Sequence, residues 1–328
     1  MTRKLLFLGG FVLAAIAIVV GIYFYNDYRE KTQLNVGYCI MDARDETLYF
    51  RKNTLAGGLY RKDSKTEECQ KINNDSPEDI LVTKSAVLYT PEKDRLVRYD
   101  LDSGQWNTIK APDSDAPFET SIQVFDPENL SLWEQKLKFA KPVFGEPVLF
   151  RGVDWGGTEL FQYDDETQSL SAWVKIEGVF ARQVAVKGSD IYICDGEALY
   201  WINKDTGEIK RLYGQDSLFI HSFAITEGNR VFVHAGRSLF LLYDGNEGDA
   251  PKELGIADIG PYLYGNRIYT VGDGELYMFS EDGNLIGKAA GFEDVFELSI
   301  TTDGVFSYHL SSELAYHTYE ELDFEKSS

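Results

Sequence analysis

The sequence predicts an all-β domain, a seven-bladed β-propeller, preceded by one N-terminal transmembrane α-helix. Three observations predict it. A run without any charged residue lies close to the N-terminus, a pair of strand-like segments recurs about every 40 residues, and Asp/Gly turns fall at a fixed place in that repeat. The expected division is a cytoplasmic N-terminus over 1–4, a membrane anchor over 5–25, a linker over 26–34 and the propeller over 35–326.

Arg3 and Lys4 precede the apolar run, and Leu5 to Tyr25 carries no charge. At 1.5 Å per residue, such a helix spans roughly 30 Å, the thickness of a bilayer's hydrocarbon core. Tyr23, Phe24, Tyr25 and Tyr28 cluster at its far end, where an interfacial aromatic belt belongs. A cleaved signal peptide is the competing reading. Its apolar region is shorter, however, and it ends at a small-residue site, whereas this run exits into Tyr-Phe-Tyr-Asn-Asp-Tyr. The anchor reading leaves the N-terminus in the cytoplasm and the propeller on the periplasmic or extracellular side.

Within the domain, one strand begins at Leu59, Leu96, Leu160, Leu199, Leu239, Leu276 and Leu314, with spacings of 37, 64, 39, 40, 37 and 38. A partner strand precedes each, at Leu48, Leu88, Leu149, Ile191, Val231, Ile268 and Val305. The stretches from Val184 and from Phe223 read as apolar strand, Gly-containing turn and second strand, a hairpin pattern. Further turns fall at Asp102-Ser-Gly104, Asp205-Thr-Gly207, Asp244-Gly-Asn246 and Glu281-Asp-Gly283. Asp and Asn start such turns, and Gly supplies positive φ. Four strands in about 40 residues is the propeller period. A parallel β-helix has shorter repeats, and a β-sandwich has no fixed register. The 64-residue spacing implies an insertion over about 112–147, joining the outer strand of blade 2 to the inner strand of blade 3. Loops of that length are usually functional.

Ala198-Leu-Tyr-Trp-Ile-Asn-Lys-Asp-Thr-Gly207-Glu resembles the repeat of the PQQ-like bacterial β-propeller superfamily, in which an apolar strand ends in an Asp-x-x-Thr-Gly turn. Leu96 to Trp106 is similar too, including the Trp after the Gly. The resemblance extends loosely over the whole domain. It implies the fold, in a non-enzymatic, membrane-anchored form, and does not imply the quinone. No cofactor is expected.

Motifs that carry chemistry are sparse. His221, His234, His309 and His317 form no His-Glu-x-x-His pattern and are expected in or beside strands, so no metal site is expected. Gly-x-Ser-x-Gly and phosphate-cradling Gly-rich loops are missing. Asp244 to Asp249 lacks the ligand spacing of a calcium loop. Of the three cysteines, the register puts Cys39 in the innermost strand of blade 1 and Cys69 in the outermost. Those strands lie roughly 14 Å apart, beyond the ~7 Å Cα reach of a disulfide. Buried thiols are therefore expected.

The net charge is −21. Such a surface disfavours nucleic acid, which is bound mainly through Lys and Arg. It serves solubility, or it steers in a basic partner. The reading reached is a non-catalytic protein-interaction or scaffold module in the bacterial cell envelope. Partner-binding residues are expected at Trp133, in the insertion, and Trp155, in the Val153–Gly157 loop of blade 3. One alternative is an exported hydrolase or lyase with carboxylates converging on the central channel. The inner strands Ile80-Leu-Val, Val184-Ala-Val and Phe223-Ala-Ile look too apolar for it. Another is an immunity-type protein that neutralises a basic toxin.

Overall fold

A computed structural model of the chain describes residues 41–51, 57–66, 68–92, 94–113, 116–124, 136–153, 156–214, 218–242, 250–310, 314–322 and 324–326. These form seven antiparallel blades. Blade 1 holds β1 (Met41–Arg44), β2 (Thr47–Arg51), β3 (Leu59–Asp63) and β4 (Cys69–Asn73). Blade 2 holds β5 (Asp79–Val82), β6 (Ala86–Glu92), β7 (Arg95–Asp100) and β8 (Trp106–Lys110). Blade 3 is built from β9 (Thr120–Gln123), β10 (Lys138–Phe139), β11 (Val148–Val153), β12 (Gly157–Asp164) and β13 (Ser169–Glu177). Blade 4 has β14 (Gln183–Lys187), β15 (Asp190–Cys194), β16 (Leu199–Asn203) and β17 (Ile209–Tyr213). Blade 5 has β18 (Ile220–Ile225), β19 (Val231–Ala235), β20 (Ser238–Leu242) and β21 (Lys252–Ile256). In blade 6 are β22 (Ile259–Tyr264), β23 (Arg267–Gly272), β24 (Glu275–Ser280) and β25 (Leu285–Ala290). Blade 7 has β26 (Val295–Ile300), β27 (Gly304–His309) and β28 (Leu314–Thr318), and β29 (Glu325–Lys326) ends the chain.

Burial explains why the sequence reads this way. The second strand of a blade is covered on both faces by neighbouring blades, so β11, β19 and β27 are almost wholly buried. The outermost β8 and β21 are mostly exposed. The predicted partner positions fall on second strands and the Leu positions on third strands, in all seven blades. Seven hydrophobic clusters are found among the described residues, one at each blade junction. A blade alone could not bury its faces; stacking does so. The cluster joining Met41, Phe50 and Tyr60 to Phe306, Tyr308 and Leu314 closes the ring between blades 7 and 1.

Gly104, Gly207 and Gly283 have φ of 68°, 71° and 69°, as their turns require. The capping oxygens come from two residues earlier than the sequence suggests. Asp100 Oδ1 accepts from Ser103 N at 2.7 Å, and Asn203 Oδ1 from Thr206 N at 3.0 Å. The first residues of these turns, Asp102 and Asp205, are not the caps.

Three features depart from four strands per blade. The insertion supplies β9, which pairs in parallel with β13 as a fifth, outermost strand of blade 3. Blade 7 has three strands among the described residues. The last strand, β29, adds to β25 of blade 6. The predicted anchor over 5–25, the linker and Cys39 lie outside the described residues. Among the described residues no helix is long and apolar enough to cross a membrane.

Candidate functional site

The inner strands surround a central channel of about 580 Å³. The sequence suggests apolar walls, and Leu81, Val82, Val143, Phe144 and Ala224 do line the channel, together with polar groups that the sequence reading did not single out. Ile80, Val184 and Phe223 are fully buried in the junctions between blades. The residues immediately before them, Asp79, Gln183 and Ser222, are polar and reach to the next blade. Side chains alternate along a strand, so a polar residue ahead of an apolar one takes the opposite face.

An inner strand is a sheet edge, and its outward-facing N–H and C=O groups need partners. Those partners come from one side chain or backbone group per blade, in a closed circuit. Asp42 Oδ2 of blade 1 accepts from Val82 N of blade 2 at 2.7 Å. Asp79 Oδ2 of blade 2 accepts from Phe139 N of blade 3 at 2.9 Å. Lys141 N of blade 3 donates to Val184 O of blade 4 at 2.8 Å. Gln183 clasps Phe223 of blade 5 twice, accepting from its N at 3.0 Å and donating to its O at 2.8 Å. The Ser222 hydroxyl donates to Gly260 O of blade 6. The Tyr262 hydroxyl accepts from Leu298 N of blade 7 at 3.4 Å. Glu297 of blade 7 takes a backbone hydrogen bond from Met41 of blade 1.

Besides the Tyr262 phenol, four of these residues are ionisable, and Asp42, Asp79, Lys141 and Glu297 share one side of the channel. Lys141 Nζ donates to Asp79 Oδ1 at 2.9 Å and to Ile80 O at 3.0 Å. Burial alone would lower Lys141, but Asp79 and Asp42 outweigh it and hold the ammonium above the usual lysine range. Burial raises Asp42. Burial also pushes Glu297 up, to about 8, with Lys141 and the Met41 amide opposing and Asp79 and Asp42 adding to the rise. Glu297 Oε2 is buried and accepts no hydrogen bond. A carboxyl that carries its proton at neutral pH beside a lysine is therefore the channel's most unusual group.

Trp133 and Trp155, the predicted partner-binding residues, lie outside the described residues, and so does their expected convergence. The histidines are all strand-borne. His221 and His234 stack at 4.7 Å between ring centroids. His234 Nδ1 meets Gly260 O at 3.1 Å, and burial, then His221, holds it below the usual histidine value. His309 bonds Glu293 O and Ser307, and His317 lies against Phe292. No three His, Cys, Asp or Glu side chains among the described residues are grouped to hold a metal. Cys69 is buried in β4, the outer strand of blade 1. Cys194 is a buried free thiol, pushed up to about 12 by burial.

No family model matches the chain. No curated protein matches it significantly. Among solved structures, PorZ of Porphyromonas gingivalis, described as an essential surface component of the type-IX secretion system, superposes with TM-score 0.57 at 11% identity. That match covers 89% of this chain and 38% of PorZ, so the chain spans well under half of that protein's length. The computationally designed Ika8 protein gives TM-score 0.54 at 12% identity, over 87% of this chain and 96% of its own. An oligogalacturonate lyase from Vibrio parahaemolyticus gives 0.52 at 11% identity, over 86% and 89%. At such identities the likeness defines a class by fold: the chain is a β-propeller.

Proposed function

We propose that this propeller, a PQQ-like one without the quinone, is a non-catalytic interaction module of the bacterial cell envelope. On this reading the N-terminal helix holds it at the membrane, the propeller is exported, and its rigid ring docks another protein. The observation that carries the reading is the channel circuit. Side chains that an enzyme would present to a substrate are bonded to the next blade's backbone, which stiffens the ring and leaves its outer surface for recognition. PorZ, a surface component of a secretion system, is an example of the fold in the envelope. The net charge of −21 taken alone favours a basic partner, such as a toxin in the immunity form of this reading. The test is crosslinking in intact cells followed by detergent purification of the full-length protein. A protein recovered reproducibly in fixed ratio supports the module, and protease protection of the propeller in whole cells checks its export. Recovery of the protein alone removes the reading.

A second reading, a hydrolase or lyase, is favoured by one observation: the protonated Glu297 beside Lys141 could act as a general acid. Oligogalacturonate, named for one structural neighbour, is a substrate to try. Turnover that disappears in Glu297→Gln would establish the enzyme.

A further inference from the structure

The circuit between blades does not use all of the channel's polar atoms. Glu297 accepts from the Met41 amide, yet its Oε2 is buried and accepts no hydrogen bond. Buried polar atoms are normally bonded. Among the described residues that line the channel, Glu297 alone holds a buried side-chain oxygen without a hydrogen bond.

The charge around it is unbalanced. The lining residues include three carboxylates, Asp42, Glu227 and Glu297, and one cation, Lys141. That ammonium is already bound to Asp79 at 2.9 Å. Asp42 accepts from the Ala43 and Val82 amides and pairs with no cation among the described residues. Lys187 stands near the mouth, but it turns to Glu227 O and Asn229 Oδ1 and lies over the Phe144 ring. The cavity is therefore one cation short. Glu297 makes up the difference with a proton, because burial, and then Asp79 and Asp42, disfavour its charged form.

The rest of the cavity says which cation fits. No three His, Cys, Asp or Glu side chains among the described residues are grouped to hold a metal ion. An organic ammonium needs no such shell, since its N–H groups bond separate acceptors. Glu297 lies three residues before Ile300 on β26, so it sits roughly 10 Å inside the end of that strand. Toward that end the lining turns apolar, with Val143, Phe144, Leu263 and Ile300. Val143 and Tyr264 are each 37% exposed there. Glu227 stands exposed in the adjoining turn, where its charge draws cations and repels anions. The volume of about 580 Å³ falls within the roughly 300–1,000 Å³ of small-molecule sites.

We infer that the channel binds a primary alkylammonium, its head between Asp42 and Glu297 and its chain along Val143, Phe144 and Leu263 toward the mouth. The inference goes beyond the interaction-module reading and does not depend on it. A free alkylamine and the tip of a partner's lysine side chain offer the same head, and the test separates them. The groups facing Glu297 are Asp42 on β1, Asp79 on β5, Lys141 beyond β10 and Tyr262 on β22. When the ammonium arrives beside them, the Glu297 carboxyl loses its proton to the buffer, and the ligand's charge takes that proton's place.

The test is titration calorimetry on the full-length protein in detergent at about pH 7, with butylamine as probe and 1-butanol as its neutral counterpart. Saturable binding of butylamine is expected, with butanol at least about tenfold weaker. Repeating the titration in buffers of different ionisation heat counts protons, and up to about one should be released per butylamine bound. Glu297→Gln keeps an acceptor for the Met41 amide. It should weaken butylamine about tenfold and abolish the proton release, which a merely structural role would not do. Asp42→Asn should weaken butylamine similarly, and Lys210→Ala, on the outer strand of blade 4, should leave it unchanged. Equal binding of amine and alcohol, no saturable binding, or unchanged binding in Glu297→Gln overturns the inference. Displacement of butylamine by an equal concentration of calcium overturns it too, by marking a site for inorganic cations. Nα-acetyl-lysine methylamide, titrated alongside, names the source. Binding as tight as that of butylamine assigns the head to a lysine side chain, and binding about tenfold weaker assigns it to a free amine. Either result keeps the inference. Its failure would leave the module to be judged by crosslinking alone.

Discussion

Lys141 and Arg61 are both cations set among polar and aromatic neighbours, yet they end differently. Lys141, in the channel, donates to Asp79 and to Ile80 O and is tied to blades 2 and 4. Arg61, in a cleft between the outer strands of blades 1 and 2, faces solvent beside the open indole of Trp106. The channel uses its charges to hold the ring, while the Arg61 guanidinium stays exposed at the rim of the cleft. A polar group with a structural task is satisfied within the molecule. If that contrast is sound, removing internally bonded charges should cost stability, and removing the exposed Arg61 should cost little.

The largest effect belongs to the most enclosed pair. Arg151 and Glu159 meet at 2.8 Å with side chains 5% and 1% exposed. Burial pushes Glu159 up despite Arg151, so this pair is engaged under strain from desolvation. Glu159→Ala takes the buried carboxylate away from a buried guanidinium that also bonds Asp94 and Pro112 O. A loss of about 3 kcal/mol in urea unfolding is expected. A loss under about 1 kcal/mol would mean that the remaining contacts of Arg151 suffice.

Asp79→Ala comes next. It strips the acceptor from Phe139 N and the counter-ion from Lys141. The Lys141 side chain keeps 40% exposure to the channel, so screening by channel water reduces the penalty. About 2 kcal/mol is expected, most of it from the orphaned amide. The same measurement on Asp79→Asn, which keeps an acceptor, should recover part of it.

Glu297→Gln sharpens the contrast through pH. The folded-state value is raised to about 8, above the ordinary 4.5. The folded protein therefore binds more protons than the unfolded chain between those values. Its Glu297 contribution is complete below the lower value and is lost as pH rises through the upper one. Wild type minus Gln variant should thus be flat in acid and then fall with rising pH. The slope cannot exceed about 1.4 kcal/mol per pH unit. Unfolding of both proteins at about pH 5, 7 and 9 reads it. A flat difference across that range would show that the carboxyl titrates as in water.

Much of the fold was legible because a blade buries its second strand on both faces. That demand writes unbroken apolar stretches such as Leu149–Phe150 and Val231–Val233 into the sequence at blade spacing. That extra chain lies between blades 2 and 3 was legible for the same reason, although the stretch read as insertion takes in β10, the inner strand of blade 3. The insertion's contents were not: β9 is a four-residue edge strand whose parallel pairing leaves no pattern. The two-residue β29 is equally silent. The channel's polar groups were missed because attention fell on the apolar triplets Ile80-Leu-Val, Val184-Ala-Val and Phe223-Ala-Ile. The signal lay one residue earlier, in Asp79, Gln183 and Ser222, and recurs as Glu297 ahead of Leu298. Lys141 falls inside the stretch read as an insertion, so no repeat register pointed to it. The cleft joins residues far apart in sequence, Arg61 and Trp106, and only the packing of blade 1 on blade 2 brings them together.

The smallest stability effect is expected at Arg61→Ala, and that smallness is the decisive half of the comparison. The side chain is exposed, and a surface substitution of this kind stays within about 0.5 kcal/mol. Removing a cation from a chain of net charge −21 adds slightly to self-repulsion, so the shift should be a small loss. A loss above about 1 kcal/mol would show that Arg61 clasps blade 1 to blade 2 much as Asp79 clasps blade 2 to blade 3. The cleft would then be another joint of the ring. Unchanged stability would set the exposed Arg61, beside an exposed Trp106, apart from the bonded charges that join the blades.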